Sequence, residues 1–102
     1  MKIAFATFVL ALVLTSTQAF SASDVNRTIG VLGSQYTGFV QFNEGLSQPC
    51  KFNTVYMPDL SQSNAKGMMA ILLSAQARGA LVSIDYDMDA NGICTANLVS
   101  SR

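Results

Sequence analysis

The chain has no histidine and no tryptophan, only two cysteines and two prolines, and six basic against six acidic residues. The absence of histidine removes the commonest general base and metal ligand at neutral pH, so serine triads that depend on histidine are excluded. A net charge of zero provides no attraction to nucleic acid or to anionic lipid. We therefore predict a protein that is not an enzyme, uses no cofactor and no metal, and acts by recognition.

The amino-terminal residues have the layout of a secretory signal peptide. Lys2 is followed by an apolar run over residues 3–14 and then by small residues, with Thr17 and Ala19 at the two positions that favour cleavage. We predict that residues 1–19 are removed, and cleavage after Ala22 stays open as an alternative. The run is shorter than the ~20 residues that span a bilayer. The mature protein is expected to be secreted or periplasmic, with no membrane span.

Export also decides the chemistry of the two cysteines. Cys50 and Cys94 would meet an oxidising compartment, where disulfides form and persist. We predict that they bond to each other, which excludes thiolate catalysis and thiolate zinc sites. A mature chain of roughly 80 residues commonly needs such a covalent link, because its core is small.

The remaining sequence predicts a mainly β domain with one helix. Residues 20–28 show no periodicity and are predicted to be a flexible arm, and residues 29–102 are predicted to form a single domain. Strands are predicted over residues 29–32, 36–42, 50–57, 80–86 and 93–99. A helix is predicted to begin near Ala65 and to end at Arg78, with Gly79 as its left-handed stop.

Alternation along the strands predicts which side chains face the core. In the cysteine strand, the inward positions are Cys50, Phe52 and Tyr56. In the last two strands, the shared apolar face is formed by Val82, Ile84, Tyr86, Cys94, Ala96 and Leu98. A sheet with one apolar face, covered by one apolar helix, defines a small α+β or barrel domain.

Between Met68 and Leu73 the predicted helix is apolar around nearly its whole circumference, whereas a surface helix has a polar face opposite its apolar one. Two explanations stay open. The helix can be sunk deep in its own sheet, or it can be buried in a homo-oligomer.

The acidic residues near the last hairpin match the requirements of two kinds of site in part. Asp85, Asp87 and Asp89 alternate, so a strand would place them on one face, as two-carboxylate glycoside hydrolysis requires. Residues 87–92 also copy the first half of a calcium loop, but the twelfth position is Leu98 instead of a bidentate glutamate. We predict a solvated hairpin turn.

The order of the elements resembles a known family. It consists of the segment Tyr36-Thr37-Gly38-Phe39-Val40, a cysteine strand, an apolar helix ending in Ala77-Arg78-Gly79, and the segment Val82-Ser83-Ile84-Asp85-Tyr86. This pattern, over about residues 34–99, is similar to the B subunits of the subtilase-cytotoxin and related bacterial toxins. The resemblance implies a secreted five-stranded OB-fold barrel that assembles as a homopentamer, accompanies a toxin A subunit and binds sialylated glycans. Family members carry additional cysteines and longer loops.

The same resemblance implies a ligand site. In that family an aromatic-Ser-Gly segment supplies a hydroxyl to the sugar, and Thr37 before Gly38 matches it here. A tyrosine that ends the strand after the helix also lines the family's site, and Tyr86 matches it. We expect Gly38 to let a ligand approach the backbone, and the Tyr86 hydroxyl to be exposed at the sheet edge.

Two functions follow as expectations. The first is a secreted glycan-binding module that recognises host-type sugars through Thr37, Gly38 and Tyr86 and assembles through the helix between Ala65 and Arg78. The second is a periplasmic or secreted protein-interaction or inhibitor domain that uses the same fold without a sugar ligand.

Overall fold

The computed structural model describes residues 20–102, and the predicted signal peptide over residues 1–19 lies outside the described residues. The described elements are strands β1 (Phe20–Arg27), β2 (Ile29–Ser34), β3 (Gly38–Phe42) and β4 (Val55–Tyr56), helix α1 (Ser63–Arg78), and strands β5 (Val82–Met88) and β6 (Cys94–Ser101). A short 3₁₀ turn, Lys51–Asn53, precedes β4. The predicted α+β class, mainly strand with one helix, is confirmed.

The strands form one six-stranded sheet in the order β1-β5-β6-β4-β3-β2. All neighbours are antiparallel except β4 and β6, which are parallel. The two strands at the ends of this order are successive in the chain, with Thr28 alone between them. Residues 20–34 therefore act as one bent segment whose first half pairs with β5 and whose second half pairs with β3. A register shift between Asp24 and Arg27, with Asn26 at φ 55°, marks the bend.

The flexible arm predicted for residues 20–28 is wrong, because Phe20–Arg27 is strand β1. Its backbone pairs with β5 from Phe20 opposite Met88 to Arg27 opposite Val82. Ser21 and Ser23 donate hydrogen bonds of 2.6 Å across this pair to carboxylates of β5. The segment shows no apolar periodicity because the side chain that points inward at its centre is Asp24, which is buried.

Helix α1 begins two residues before its predicted start and ends as predicted. Gly79 adopts the left-handed conformation at φ 66°. The helix buries a single stripe of residues against the sheet, namely Ala65, Met68, Leu72 and Ala75. On the rest of its circumference, Met69 and Ile71 are half-buried and Leu73 is 54% exposed. The sheet therefore covers only part of the apolar circumference.

The core lies between α1 and one face of the sheet, and most predicted inward residues are in it. Val82, Ile84 and Tyr86 of β5 are fully buried, as alternation predicts. In β6 the register slips between its pairing with Asp85 and with Tyr86. Because such a bulge inverts the alternation beyond it, Val99 is buried and Leu98 is 49% exposed, so the inward position predicted for Leu98 is wrong.

The disulfide between Cys50 and Cys94 is present as predicted, but the strand predicted over residues 50–57 is wrong for its first half. Residues 51–53 form the 3₁₀ turn, and only Val55–Tyr56 is strand. Phe52 points outward and is 72% exposed. A disulfide is compatible with an extracellular or periplasmic location, and no helix within residues 20–102 reaches the length and hydropathy of a membrane span.

Candidate functional site

Thr37 and Gly38 lie where the chain turns from β2 into β3. The Thr37 hydroxyl donates to the carbonyl oxygens of Met57 at 2.9 Å and Pro58 at 3.1 Å, which ties the turn to the chain after β4. Gly38 is buried, and a Cβ at this position would lie 2.7 Å from Sδ of Met69. A larger residue here would have to displace the Met69 side chain of helix α1, which packs directly over Gly38. The expectation that Gly38 gives a ligand access to the backbone is therefore wrong.

Tyr86 does not lie at an exposed edge. Its side chain is fully buried, and its hydroxyl donates to Oδ2 of Asp24 at 2.6 Å. Asp24 also accepts a hydrogen bond from the Ser47 backbone amide at 3.1 Å and pairs with Arg27 at 3.3 Å. The expected exposed hydroxyl is wrong, because this buried network uses it to join β1, β5 and the loop after β3.

Electrostatics within this network favour a charged Asp24 and a neutral Tyr86. Burial by itself raises the pKa of Asp24, but hydrogen bonds from Ser47 and Tyr86, together with the Arg27 charge, outweigh burial and lower that pKa below its ordinary value. Burial, reinforced by the bond to Asp24, raises the pKa of Tyr86. Both shifts follow from one geometry, in which a buried carboxylate is held by donors. Because Asp24 and Tyr86 are both buried, their hydrogen bond serves to hold the two strands together.

A cleft of about 330 Å³ lies on the outer face of β3 and β4. The preceding turn, residues 35–37, and the 3₁₀ turn form its rim. Its aromatic lining consists of Tyr36, Phe39, Phe52 and Tyr56. Its polar lining consists of Gln35, Thr37, Gln41 and Thr54. Of the predicted site residues, the structure places Thr37 in this cleft and leaves Tyr86 in the buried network.

The aromatic rings form a floor and two exposed walls. Phe39 and Tyr56 are cross-strand partners, and their rings meet edge to face with centroids 6.5 Å apart. Both are half-buried. Tyr36 is 97% exposed and Phe52 is 72% exposed. Aromatic rings left this open on a small domain are available to a ligand or partner.

Phe52 is held in an unfavourable backbone conformation. Its φ of 61° and ψ of 16° lie in the left-handed region, which is uncommon for a bulky residue without a local polar side chain. The turn is restrained just before Phe52, because Cys50 is bonded to Cys94 and the Lys51 amide donates to the Gly92 carbonyl at 2.8 Å. Strain of this kind persists only where the surrounding structure imposes it, and it concentrates at binding sites.

Two side chains in the floor of the cleft, Gln41 and Thr54, hold the same turn by hydrogen bonds. The Gln41 Nε2 group donates to Oγ1 of Thr54 at 2.8 Å and to the Phe52 carbonyl at 3.3 Å. The Thr54 hydroxyl donates to that carbonyl at 2.8 Å. The two acceptors lie only 2.8 Å apart, so one hydrogen of the Gln41 amide faces both of them, and its second hydrogen and Oε1 stay available to a ligand.

The acidic residues of the last hairpin serve the sheet and the turn. Ser21 donates to Asp87 and Ser23 donates to Asp85, each at 2.6 Å. The hydrogen bonds from Ser21 and Asn97 lower the pKa of Asp87, which is opposite to the shift that a general acid needs. Asp89 closes the turn by accepting from the backbone amides of Asn91 and Ile93. Within residues 20–102, no group of acidic or cysteine side chains has the arrangement of a metal site.

Sequence reasoning placed Thr37 at the site and missed the aromatic residues around it. A signal for part of the cleft is present, because Phe39 and Gln41 alternate with Val40 and Phe42 and so belong to the outer face of one strand. No comparable signal exists for Phe52. Its exposure depends on the turn that the disulfide restrains.

No known protein family, curated protein or solved structure matches this chain. The interpretation of its function rests on its own fold and on the chemistry of the cleft.

Proposed function

We propose that this protein is a secreted glycan-binding module that holds a sugar in the aromatic cleft on β3 and β4. The observation that carries the proposal is the lining of the cleft, where four aromatic rings surround amide and hydroxyl groups. Aromatic faces cover the apolar C–H surface of a sugar ring, and amide and hydroxyl groups exchange hydrogen bonds with its hydroxyls. A volume of about 330 Å³ lies within the range of small-molecule sites.

The topology supports an OB-fold as the scaffold. If β1 and β2 are taken as one bent strand, the sheet has five strands in a closed order, with α1 between the third and the fourth. The parallel pair formed by β4 and β6 then joins the third and fifth strands. OB-folds bind oligosaccharides and oligonucleotides on the face of their second and third strands, which here are β3 and β4. The cleft lies on that face.

The chemistry of the cleft favours a sugar over single-stranded nucleic acid. Nucleic-acid sites combine stacking residues with a positively charged groove. Of the described residues, those that line this cleft include neither lysine nor arginine. The host-type and sialylated glycans suggested by the toxin resemblance stay part of the proposal. Thr37 contributes by fixing the turn that forms one rim of the cleft.

Export and assembly complete the proposal. The leader over residues 1–19 would deliver the chain to the periplasm or beyond, where the disulfide can form. The apolar circumference of α1 that the sheet leaves open, including Leu73 at 54% exposure, is where copies would associate into the homopentamer. A toxin A subunit as partner rests on the resemblance alone.

The test is a glycan array probed with the mature protein, followed by titration of each positive sugar. We expect Phe52→Ala to weaken binding about tenfold, since it removes one exposed stacking ring. The matched control is Leu98→Ala, because Leu98 is 49% exposed and lies outside the cleft. Equal binding by the two variants would contradict the proposed site.

One observation favours the protein-interaction or inhibitor domain as a second candidate. Exposed aromatic side chains such as Tyr36 and Phe52 are the residue types that dominate binding energy at protein interfaces. This candidate would account for a correctly folded protein that binds no sugar on the array.

A further inference from the structure

We infer that the cleft selects an uncharged sugar, such as a terminal neutral hexose or N-acetylhexosamine, over a sialylated one. The inference rests on the proposed function and narrows its ligand class. Three properties of the cleft carry it, namely its lack of charged lining residues, the direction of its fixed hydrogen bonds and the exposure of its aromatic rings.

The first property is electrostatic. Among residues 20–102, none of the side chains that line the cleft belongs to Asp, Glu, Lys or Arg. A carboxylate brought into the cleft would lose part of its hydration and gain no cationic partner, which is unfavourable. Lys51 is exposed and adjoins Phe52 in the chain, but its side chain is not part of the lining. It is therefore the residue to remove when the inference is tested.

The second property is the direction of the hydrogen bonds. The Thr37 hydroxyl donates its one proton to the carbonyls of Met57 and Pro58, and the Thr54 hydroxyl donates its one proton to the Phe52 carbonyl. What these two side chains present to a ligand is lone pairs on oxygen. A sugar hydroxyl can donate to such oxygens, whereas a carboxylate can only accept and would face them unfavourably.

The third property is the exposure of the two rim rings. Tyr36 and Phe52 are exposed at the rim of a cleft whose lining has no charged side chain, and the turn that carries Phe52 is held by the disulfide and by the bonds to its carbonyl. A preorganised ring loses little freedom when it stacks on a sugar. The stacking surface of a neutral pyranose needs no counter-charge, so this rim suits it.

The experiment uses two pairs of soluble glycans that differ only by sialic acid: lactose with 3′-sialyllactose, and N-acetyllactosamine with its sialylated form. Affinities are measured by calorimetry or ligand-observed NMR at low and at high salt. We expect each neutral sugar to bind at least about fivefold more tightly than its sialylated partner. We also expect the neutral affinity to change less than about twofold with salt, since no ion pair contributes.

Two variants make the result specific. Lys51→Gln should leave the affinity for the neutral sugars unchanged, whereas Gln41→Leu should weaken it, because it removes an acceptor oxygen and the donor that Thr54 Oγ1 accepts from. The inference would be overturned if the sialylated glycans bind more tightly than their neutral partners, or if Lys51→Gln abolishes binding of the sialylated glycans. Either result would leave glycan binding itself intact. If neither member of any pair binds, and the array is also negative, the proposed function fails together with the inference.

Discussion

Replacing Tyr86 with Phe tests the buried network most directly. The Tyr86 hydroxyl donates to Asp24 at 2.6 Å, and the two side chains are 0% and 3% exposed. The substitution keeps the ring and its packing and removes one donor from a buried carboxylate. Hydrogen bonds to charged groups contribute about 1.5–3 kcal/mol, so we expect the free energy of unfolding to fall by about 2 kcal/mol. For a domain of this size that corresponds to a lower Tm by about 8–16 °C.

The measurement is urea unfolding of the mature protein followed by circular dichroism, with the disulfide intact. The matched control is Tyr36→Phe, because Tyr36 is 97% exposed and loses the same atom. We expect the control to change the free energy of unfolding by less than about 0.5 kcal/mol. A second comparison combines Tyr86→Phe with Asp24→Asn, where the two losses should not add because they disrupt one interaction.

A result in which Tyr86→Phe and Tyr36→Phe are equally stable would refute the reasoning. It would mean that the Asp24 carboxylate finds another donor or that the hydroxyl contributes nothing net. The prediction also bears on function, because a buried Tyr86 should affect sugar affinity only through stability. Measured well below the unfolding temperature, Tyr86→Phe should bind a neutral glycan as the parent does.

Three further predictions follow from the same structure. Folding lowers the pKa of Asp24 from its ordinary 3.8, so the folded state favours the carboxylate. The stability that this carboxylate contributes is present above pH 3.8 and is lost as the pH falls below it. The free energy of unfolding, measured as a function of acid pH, should show this loss in the parent and less of it in Asp24→Asn. Cys94→Ser removes a disulfide that links residues 44 positions apart, and it should lower the free energy of unfolding by about 2–5 kcal/mol in denaturant titration. An unchanged midpoint would contradict a stabilising role of this disulfide. Light scattering at tens of micromolar should show an oligomer that Leu73→Lys dissociates while its circular dichroism spectrum stays that of the folded parent, whereas a monomeric parent would rule out assembly through α1.

The elements predicted well are those whose signals are local. Val82, Ile84 and Tyr86 alternate in a way that only a half-buried strand satisfies, and Gly79 ends a helix because it alone tolerates the left-handed stop without strain. Strand β1 was not predicted because its inward residue is Asp24, an acid whose burial depends on donors from distant segments, including Tyr86, which is 62 residues away, and Ser47. A local pattern carries no information about such a distant partner.

The residues of the candidate site also fall into some that a local pattern predicts and others that it does not. Thr37 and the outward alternation of Phe39 and Gln41 are readable from the chain, because side-chain direction in a strand follows its period of two. The predicted exposure of Tyr86 is wrong because exposure depends on which segment covers a residue, and β1, which pairs beside Tyr86, shows no apolar periodicity in the sequence.

By itself the amino-acid sequence determined the α+β class, the position and stop of the helix and the pairing of Cys50 with Cys94, since these depend on local periodicity, backbone preference and the number of cysteines. Only the tertiary structure decided that Phe52 is exposed and that a cleft exists beside it. That outcome needs the disulfide, a backbone bond from Lys51 to Gly92 and side-chain bonds from Gln41 to be formed together. Contacts between distant segments exist only once the chain has folded, so no local rule can supply them.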